Sequence, residues 1–350
     1  QRSLVGSEMC IRDRYTDEEI KDMSDEEYRN NLYSLWTNYC VSESYEPGST
    51  FKPVTVASAL EEGVVKDGDT YVCKGFETVA DYKLKCHVFS TIGSHGSLTV
   101  EQALMNSCNP YMIHLALEMG NSRFAYYQSL FGFGKITGID LPGETTGIVY
   151  GDRMTTIDAA CNSFGQTINV NMMQMMAAYC SIINGGMLYQ PHIVKRIESA
   201  NGEVVKEYKA NLVRQTITAS TSKLLRRYLK NTVEEGTAKK AGVTGYSVAG
   251  KTGTAQKGDR KDNKWIISFI GHAPAENPKF AIYVVIDEPY GTTGTSGSSA
   301  DVLTLTHNIL EKLLPYMNVY KDASDEYEDT SSSPDELTVD GIPAGTASSN

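Results

Sequence analysis

A serine and a lysine stand three apart in "YEPGSTFKPV", at Ser49 and Lys52, behind a Pro-Gly turn. Residues three apart share one face of a helix, so the Ser49 hydroxyl and the Lys52 amine can meet. A serine hydroxyl becomes a nucleophile once a base takes its proton, and lysine is a base only when neutral. Burial beside another cation, at the positive end of a helix, lowers a lysine's pKa enough for that role. The plainer reading makes Ser49 a helix N-cap and leaves Lys52 in solvent. The same spacing recurs at Ser220 and Lys223 within a plain amphipathic stretch, so alone it is a weak signal.

Two other elements change the balance. Ser107-Cys108-Asn109 is an S-x-N triplet, a pattern met again in Ser199-Ala200-Asn201 and in Ser348-Ser349-Asn350 at the chain's end. Lys251-Thr252-Gly253 occurs once and is followed by Thr254. Ser107 can relay a proton towards a leaving amine. The Asn109 amide can hold Lys52 and bind a peptide group. Lys251, a second cation, suits a carboxylate together with the hydroxyls of Thr252 and Thr254. Gly253 allows a substrate close to the strand, and a strand edge docks an extended peptide. The backbone N–H groups of Ser49 and Thr254 are the candidate oxyanion donors. Ser220 and Lys223 lack such company and are expected to be inert.

These residues need elements to position them. "STFKPVTVASALEEG" predicts a helix after the Pro47-Gly48 turn, with Phe51, Val54 and Ala59 on its apolar face and Gly63 as its stop. Pro53 falls in the first turn, where a missing N–H costs little. "SDEEYRNNLYSLW" has Ser24 and Glu27 at capping-box spacing. "LTVEQALMNS" and "NPYMIHLALEMG" predict two more helices, with the S-x-N triplet in the loop between them. "NVNMMQMMAAYCSIINGG" reads as a buried helix whose methionines are core packing. "TASTSKLLRRYLKNTVEEG" is amphipathic. Strand signals follow in "YSVAGKTGTAQ", "KWIISFIGHAP" and "KFAIYVVIDEP", then a Gly/Ser/Thr-rich loop over 291–299 and the helix "ADVLTLTHNILEKLLPYM". Helices, late antiparallel strands and a closing helix make an α+β fold with helices covering a sheet.

Composition narrows the classes. The 350 residues carry a net charge of −11, and the tail from Asn318 contributes eight acids against one base, Lys321. No basic stripe is offered to nucleic acid, and the tail over 318–350 reads as solvated and disordered. Residues 1–14, "QRSLVGSEMCIRDR", have no clear period and read as a foreign segment. No stretch reaches the ~18 apolar residues of a spanning helix. The seven cysteines form no C-x-x-C and no zinc-ligand spacing with a histidine, so neither metal nor other cofactor is expected. Cys73 and Cys86 bracket the hairpin-like "CKGFETVADYKLKC"; they are a candidate disulfide in an oxidising compartment, or two free thiols. The six histidines (His87, His95, His114, His192, His272, His307) read as structural.

The ordered triple resembles the penicillin-binding proteins, specifically the class B transpeptidases of division and sporulation, over roughly 31–317. "FGFGKITGIDLPGE", "SFGQTINVNMMQMM" and "VEEGTAKKAGVTGYSVAGKTGTAQ" carry the likeness between the motifs. The resemblance implies a five-stranded antiparallel sheet covered by helices, an all-helical lobe, and an active site between them. It implies a Ser49 acyl-enzyme with the D-Ala-D-Ala end of a peptidoglycan stem peptide, then cross-linking by a second stem's amine. β-Lactams are the implied inhibitors, a membrane glycosyltransferase the implied partner, and the extracytoplasmic face of the bacterial cytoplasmic membrane the implied location. The family's membrane helix and N-terminal pedestal are not visible in this sequence. Cys108 stands where members more often carry a serine or other small residue; a Cys73–Cys86 pair resembles a feature of some Gram-positive members. A β-lactamase would need its own deacylating base, for which Glu144 in "LPGETTG" is the one tempting acid, read here as a turn residue. A β-lactam sensor would want a membrane signalling segment.

Overall fold

The computed structural model describes residues 15–34, 36–258, 264–289 and 298–323. The expected foreign segment 1–14, most of the 291–299 loop, and Ser348-Ser349-Asn350 lie outside the described residues.

Three short helices open the chain: α1 (Asp17–Asp22), α2 (Asp25–Ser34) and α3 (Tyr39–Ser42). Ser24 caps α2, its hydroxyl accepting from Glu27 N at 3.2 Å. A 3-10 turn, Gly48–Phe51, runs into α4 (Lys52–Glu62), which ends on Gly63 at φ 75°. Four short strands follow: β1 (Thr70–Cys73), β2 (Phe76–Val79), β3 (Tyr82–Lys85) and β4 (Gly96–Thr99). Then come α5 (Val100–Met105), α6 (Asn109–Met119), α7 (Asn121–Leu130), α8 (Thr156–Asn162) and α9 (Met172–Ile183). Short strands β5 (Met187–Gln190), β6 (Arg196–Glu198), β7 (Val204–Glu207) and β8 (Asn211–Gln215) lead to α10 (Ala219–Glu234). The chain closes with β9 (Ala249–Lys257), β10 (Lys264–Ala273), β11 (Phe280–Asp287) and α11 (Ala300–Tyr316).

The helix expected to show one apolar face is enclosed instead. Every residue of α4 from Lys52 to Ala59 is buried, because α5, α6, α7, α9 and α10 all pack around it. Its cluster also takes Ile266, Ile270 and Tyr283 from one face of the sheet. The opposite face, with Ile267 and Phe269, packs on Val302, Leu303, Leu310 and Leu314 of α11. With both faces covered, β10 reads as a continuous apolar run rather than an alternation.

Among the described residues this sheet has three antiparallel strands, in the order β11-β10-β9, against the five that the resemblance implies. The other eight strands form separate two-stranded units, so none of them extends it. Residues 318–323, expected as the start of a disordered tail, are held on the domain. Val319 is buried, Asp322 N donates to Gly245 O at 3.0 Å, and the Asp322 carboxylate accepts from Ser247 N at 2.7 Å. Apolar contact and these bonds hold 318–323 on the domain, and 324–350 lie outside the described residues.

Candidate active site

Ser49 is not a helix cap. The cap position of the 3-10 turn is Pro47 and that of α4 is Phe51, neither with a side-chain capping bond. The 3-10 geometry stacks residues three apart, and Lys52 N donates to Ser49 O across that turn. Ser49 stays half-buried while Lys52 is completely buried. The turn is pinned from below. Thr50 Oγ1 donates to Pro47 O at 2.7 Å, Tyr45 Oη donates to Tyr283 Oη at 2.8 Å, and Thr50 Oγ1 lies 3.4 Å from that same Tyr283 hydroxyl. Sequence reasoning missed this tyrosine pair, which joins residues 238 apart in the chain.

The three motifs meet. Lys52 Nζ donates to Ser107 O at 2.6 Å, Ser107 Oγ at 3.0 Å and Asn109 Oδ1 at 2.7 Å. Ser107 Oγ donates in turn to Ser49 Oγ at 3.0 Å. The lysine therefore reaches the serine through Ser107, not by the direct contact that spacing alone implied. Ser107 has φ 53°, a left-handed conformation that costs a non-glycine residue about 1–3 kcal/mol. That twist lets its carbonyl and hydroxyl both face one ammonium. Asn109, first residue of α6, also donates through Nδ2 to Lys85 O at 3.3 Å, which ties the motif to the β2–β3 hairpin.

Lys251 is fully buried on β9 and donates to Thr252 O at 3.1 Å and Thr252 Oγ1 at 3.3 Å. Burial, offset only in part by the Cys86 and Cys108 sulfurs, brings Lys52 down to about 8. Lys251 is held well below its ordinary value, first by burial and then by the charge of Lys52. Lys52 is thus biased towards the neutral form that a base requires.

Gly253 is closely packed within the protein. A Cβ there would lie 2.5 Å from Ser268 Oγ, 2.8 Å from Thr50 Cγ2 and 2.9 Å from Pro47 O. Its missing side chain makes room for the 47–50 turn. Gly48 does the same from the other side: a Cβ would lie 2.6 Å from Thr254 O and 3.3 Å from Thr254 N. The backbones at 48–49 and 254 are therefore neighbours. Thr254 is half-buried on β9, whose outer edge no strand covers among the described residues.

Other expectations resolve plainly. Ser220 and Lys223 are exposed, and Ser220 Oγ lies 2.9 Å from Thr218 Oγ1 at the start of α10. Glu144 accepts from Thr137 N at 2.7 Å, Thr137 Oγ1 at 2.6 Å and Gly138 N at 3.1 Å, so it staples its loop. Cys73 and Cys86 are unbonded thiols. The hairpin pairs Phe76 with Lys85, while Cys73 belongs to β1 and pairs with Gly96. Buried His272 bonds Tyr179 Oη at 2.8 Å, and burial lowers its pKa to about 3. His95 Nδ1 lies 3.8 Å from Cys73 Sγ and 3.5 Å from Cys86 Sγ. Two cavities of about 380 and 560 Å³ contain none of the motif residues, so the chemistry lies outside them.

The Ser49–Lys52 turn, a strained S-x-N loop and a buried K-T-G strand meet on helices around an antiparallel sheet, an arrangement that can carry serine acyl transfer. Residues 12–311 match the family model of the penicillin binding protein transpeptidase domain, and the chain belongs to that family. It is 41% identical over 288 residues to stage V sporulation protein D of Bacillus subtilis, covering 81% of this chain and 44% of that protein. It is 32% identical over 292 residues to the peptidoglycan D,D-transpeptidase FtsI of Escherichia coli, covering 82% and 46%. The chain thus spans less than half the length of these relatives. Penicillin binding protein 3 of Mycobacterium tuberculosis, solved with aztreonam, superposes with a TM-score of 0.73 at 29% identity, over 82% of this chain and 66% of that one. The fold is the penicillin-binding fold, and these relatives are class B penicillin-binding proteins.

Proposed function

We propose that Ser49 is the nucleophile of a peptidoglycan D,D-transpeptidase. The observation that carries this reading is the chain Lys52–Ser107–Ser49, with Lys52 buried and held by Asn109. Neutral Lys52 takes the Ser49 proton by way of Ser107, and Oγ attacks the carbonyl of the penultimate D-alanine. The N–H groups of Ser49 and Thr254 receive the oxyanion, a role supported by the contact of Gly48 with Thr254. Collapse breaks the peptide bond, and the departing D-alanine amine takes a proton from the relay. An amine of a second stem peptide then attacks the ester. A new peptide bond forms and Ser49 regains its proton. Lys251, Thr252 and Thr254 bind the terminal carboxylate.

A β-lactam acylates the same serine, and a slow ester makes it an inhibitor. The β-lactamase reading is disfavoured by Glu144, whose two oxygens are bonded to its own loop. Relatives that carry peptidoglycan transpeptidase names support the substrate class. On this reading the protein acts at the extracytoplasmic face of the cytoplasmic membrane, beside a membrane glycosyltransferase. No helix among the described residues is long and apolar enough to cross a membrane. The test supplies donor and acceptor stem peptides to the protein and follows the products by mass spectrometry. Release of D-alanine with formation of a cross-linked dimer is expected, and both are lost in Ser49→Ala. A penicillin label that hydrolyses within seconds would overturn the reading in favour of a β-lactamase. A stable label without any cross-linking would favour a sensor.

A further inference from the structure

We infer that Cys73, Cys86, His95 and Cys108 form a binding site for a soft divalent cation of the zinc class, placed directly behind the S-x-N motif. Their ligand atoms all lie within 4.8 Å of one another. They come from four segments: the end of β1, the residue after β3, the turn before β4, and the centre of the Ser107-Cys108-Asn109 loop. Spacings of 13, 9 and 13 residues match no local zinc pattern, so the sequence concealed the group.

The geometry fits a tetrahedral ion. Zinc lies about 2.3 Å from thiolate sulfur and about 2.0–2.1 Å from imidazole nitrogen, so neighbouring ligand atoms in a tetrahedron stand roughly 3.5–3.8 Å apart. His95 Nδ1 is already 3.8 Å from Cys73 Sγ and 3.5 Å from Cys86 Sγ. Three sulfurs and one imidazole select zinc over magnesium or calcium, which require oxygen. The three cysteines are 1%, 3% and 0% exposed, and Gly75 N donates to Cys73 Sγ at 3.4 Å, the kind of outer bond that steadies a metal thiolate. Binding displaces the thiol protons to solvent. A disulfide would engage only two of the three sulfurs and leave His95 with no part. Cys40, Cys161 and Cys180 belong to no such group among the described residues.

A bound ion would tie β1, the β2–β3 hairpin and the S-x-N loop together. It would hold Cys108, and with it the strained Ser107 and Asn109, against the nucleophile turn. The test strips the 350-residue protein with chelator and reductant and titrates it with cobalt(II). Tetrahedral ligand-field bands are expected to saturate at one cobalt per chain and to vanish when zinc is added. His95→Ala keeps every thiol, yet should weaken cobalt binding at least about tenfold. Cys40→Ser should leave it unchanged. Cobalt bands that never reach stoichiometry in fully reduced protein would overturn the inference. So would a His95→Ala protein that binds as tightly as the parent, or a disulfide among these cysteines in zinc-replete, freshly purified protein.

Discussion

At the scale of single residues, the account turns on one amine. Lys52 has no partner of opposite formal charge among its three hydrogen bonds, only a carbonyl, a hydroxyl and an amide oxygen. Burial therefore dominates and brings its pKa to about 8. The folded value is depressed, so the neutral base gains population as pH rises towards 8 and is saturated above it. The rate of acylation by a penicillin should rise roughly tenfold per pH unit below that point and then level off. Stopped-flow acylation across that range checks it. Lys52→Arg, which stays charged, should lose roughly a hundred- to ten-thousand-fold and show no such rise. A flat profile for the parent would assign the proton to another group. The types and spacing of these residues were legible in the chain. That Ser107 stands between Lys52 and Ser49 was not, because it depends on a left-handed φ that no spacing rule marks at a serine.

At the scale of elements, the contact of turn with strand decides the site. The 3-10 segment Gly48–Phe51 and β9 touch closely because Gly48 and Gly253 carry no side chains. Gly48 combines φ 57° with a Cβ position 2.6 Å from Thr254 O. Gly151 has a similar φ of 56° and nothing within 4 Å of its Cβ position. Gly151→Ala should therefore cost only the conformational penalty, about 1 kcal/mol. Gly48→Ala should cost that and the clash, about 2–4 kcal/mol in all, and should slow acylation as well. Thermal unfolding of the two variants checks this, and equal midpoints would contradict the close packing. The helix, its glycine stop and the three late strands were legible from apolar period and turn residues. The 3-10 start was not, since Pro-Gly followed by a serine reads equally well as an ordinary capped helix. That Gly253 faces Pro47 and Thr50 was not legible either, because the sequence cannot say which neighbour approaches a strand.

At the scale of the whole molecule, three motifs about 58 and 144 residues apart in the chain converge because α4 is the buried centre of the helical layer and β9 the edge of the sheet beside it. The covering helices and the antiparallel late strands were legible. Long-range groupings such as Tyr45 with Tyr283, or the three cysteines with His95, leave no local period to read. The central claim is that this assembly makes Ser49, and no other serine, an acylated nucleophile. The most direct measurement is intact-protein and peptide mass spectrometry after exposure to a penicillin. The account predicts one adduct per chain on the peptide that carries Ser49, absent in Ser49→Ala and undiminished in Ser220→Ala. An adduct on any other residue, or none on native protein, would contradict it.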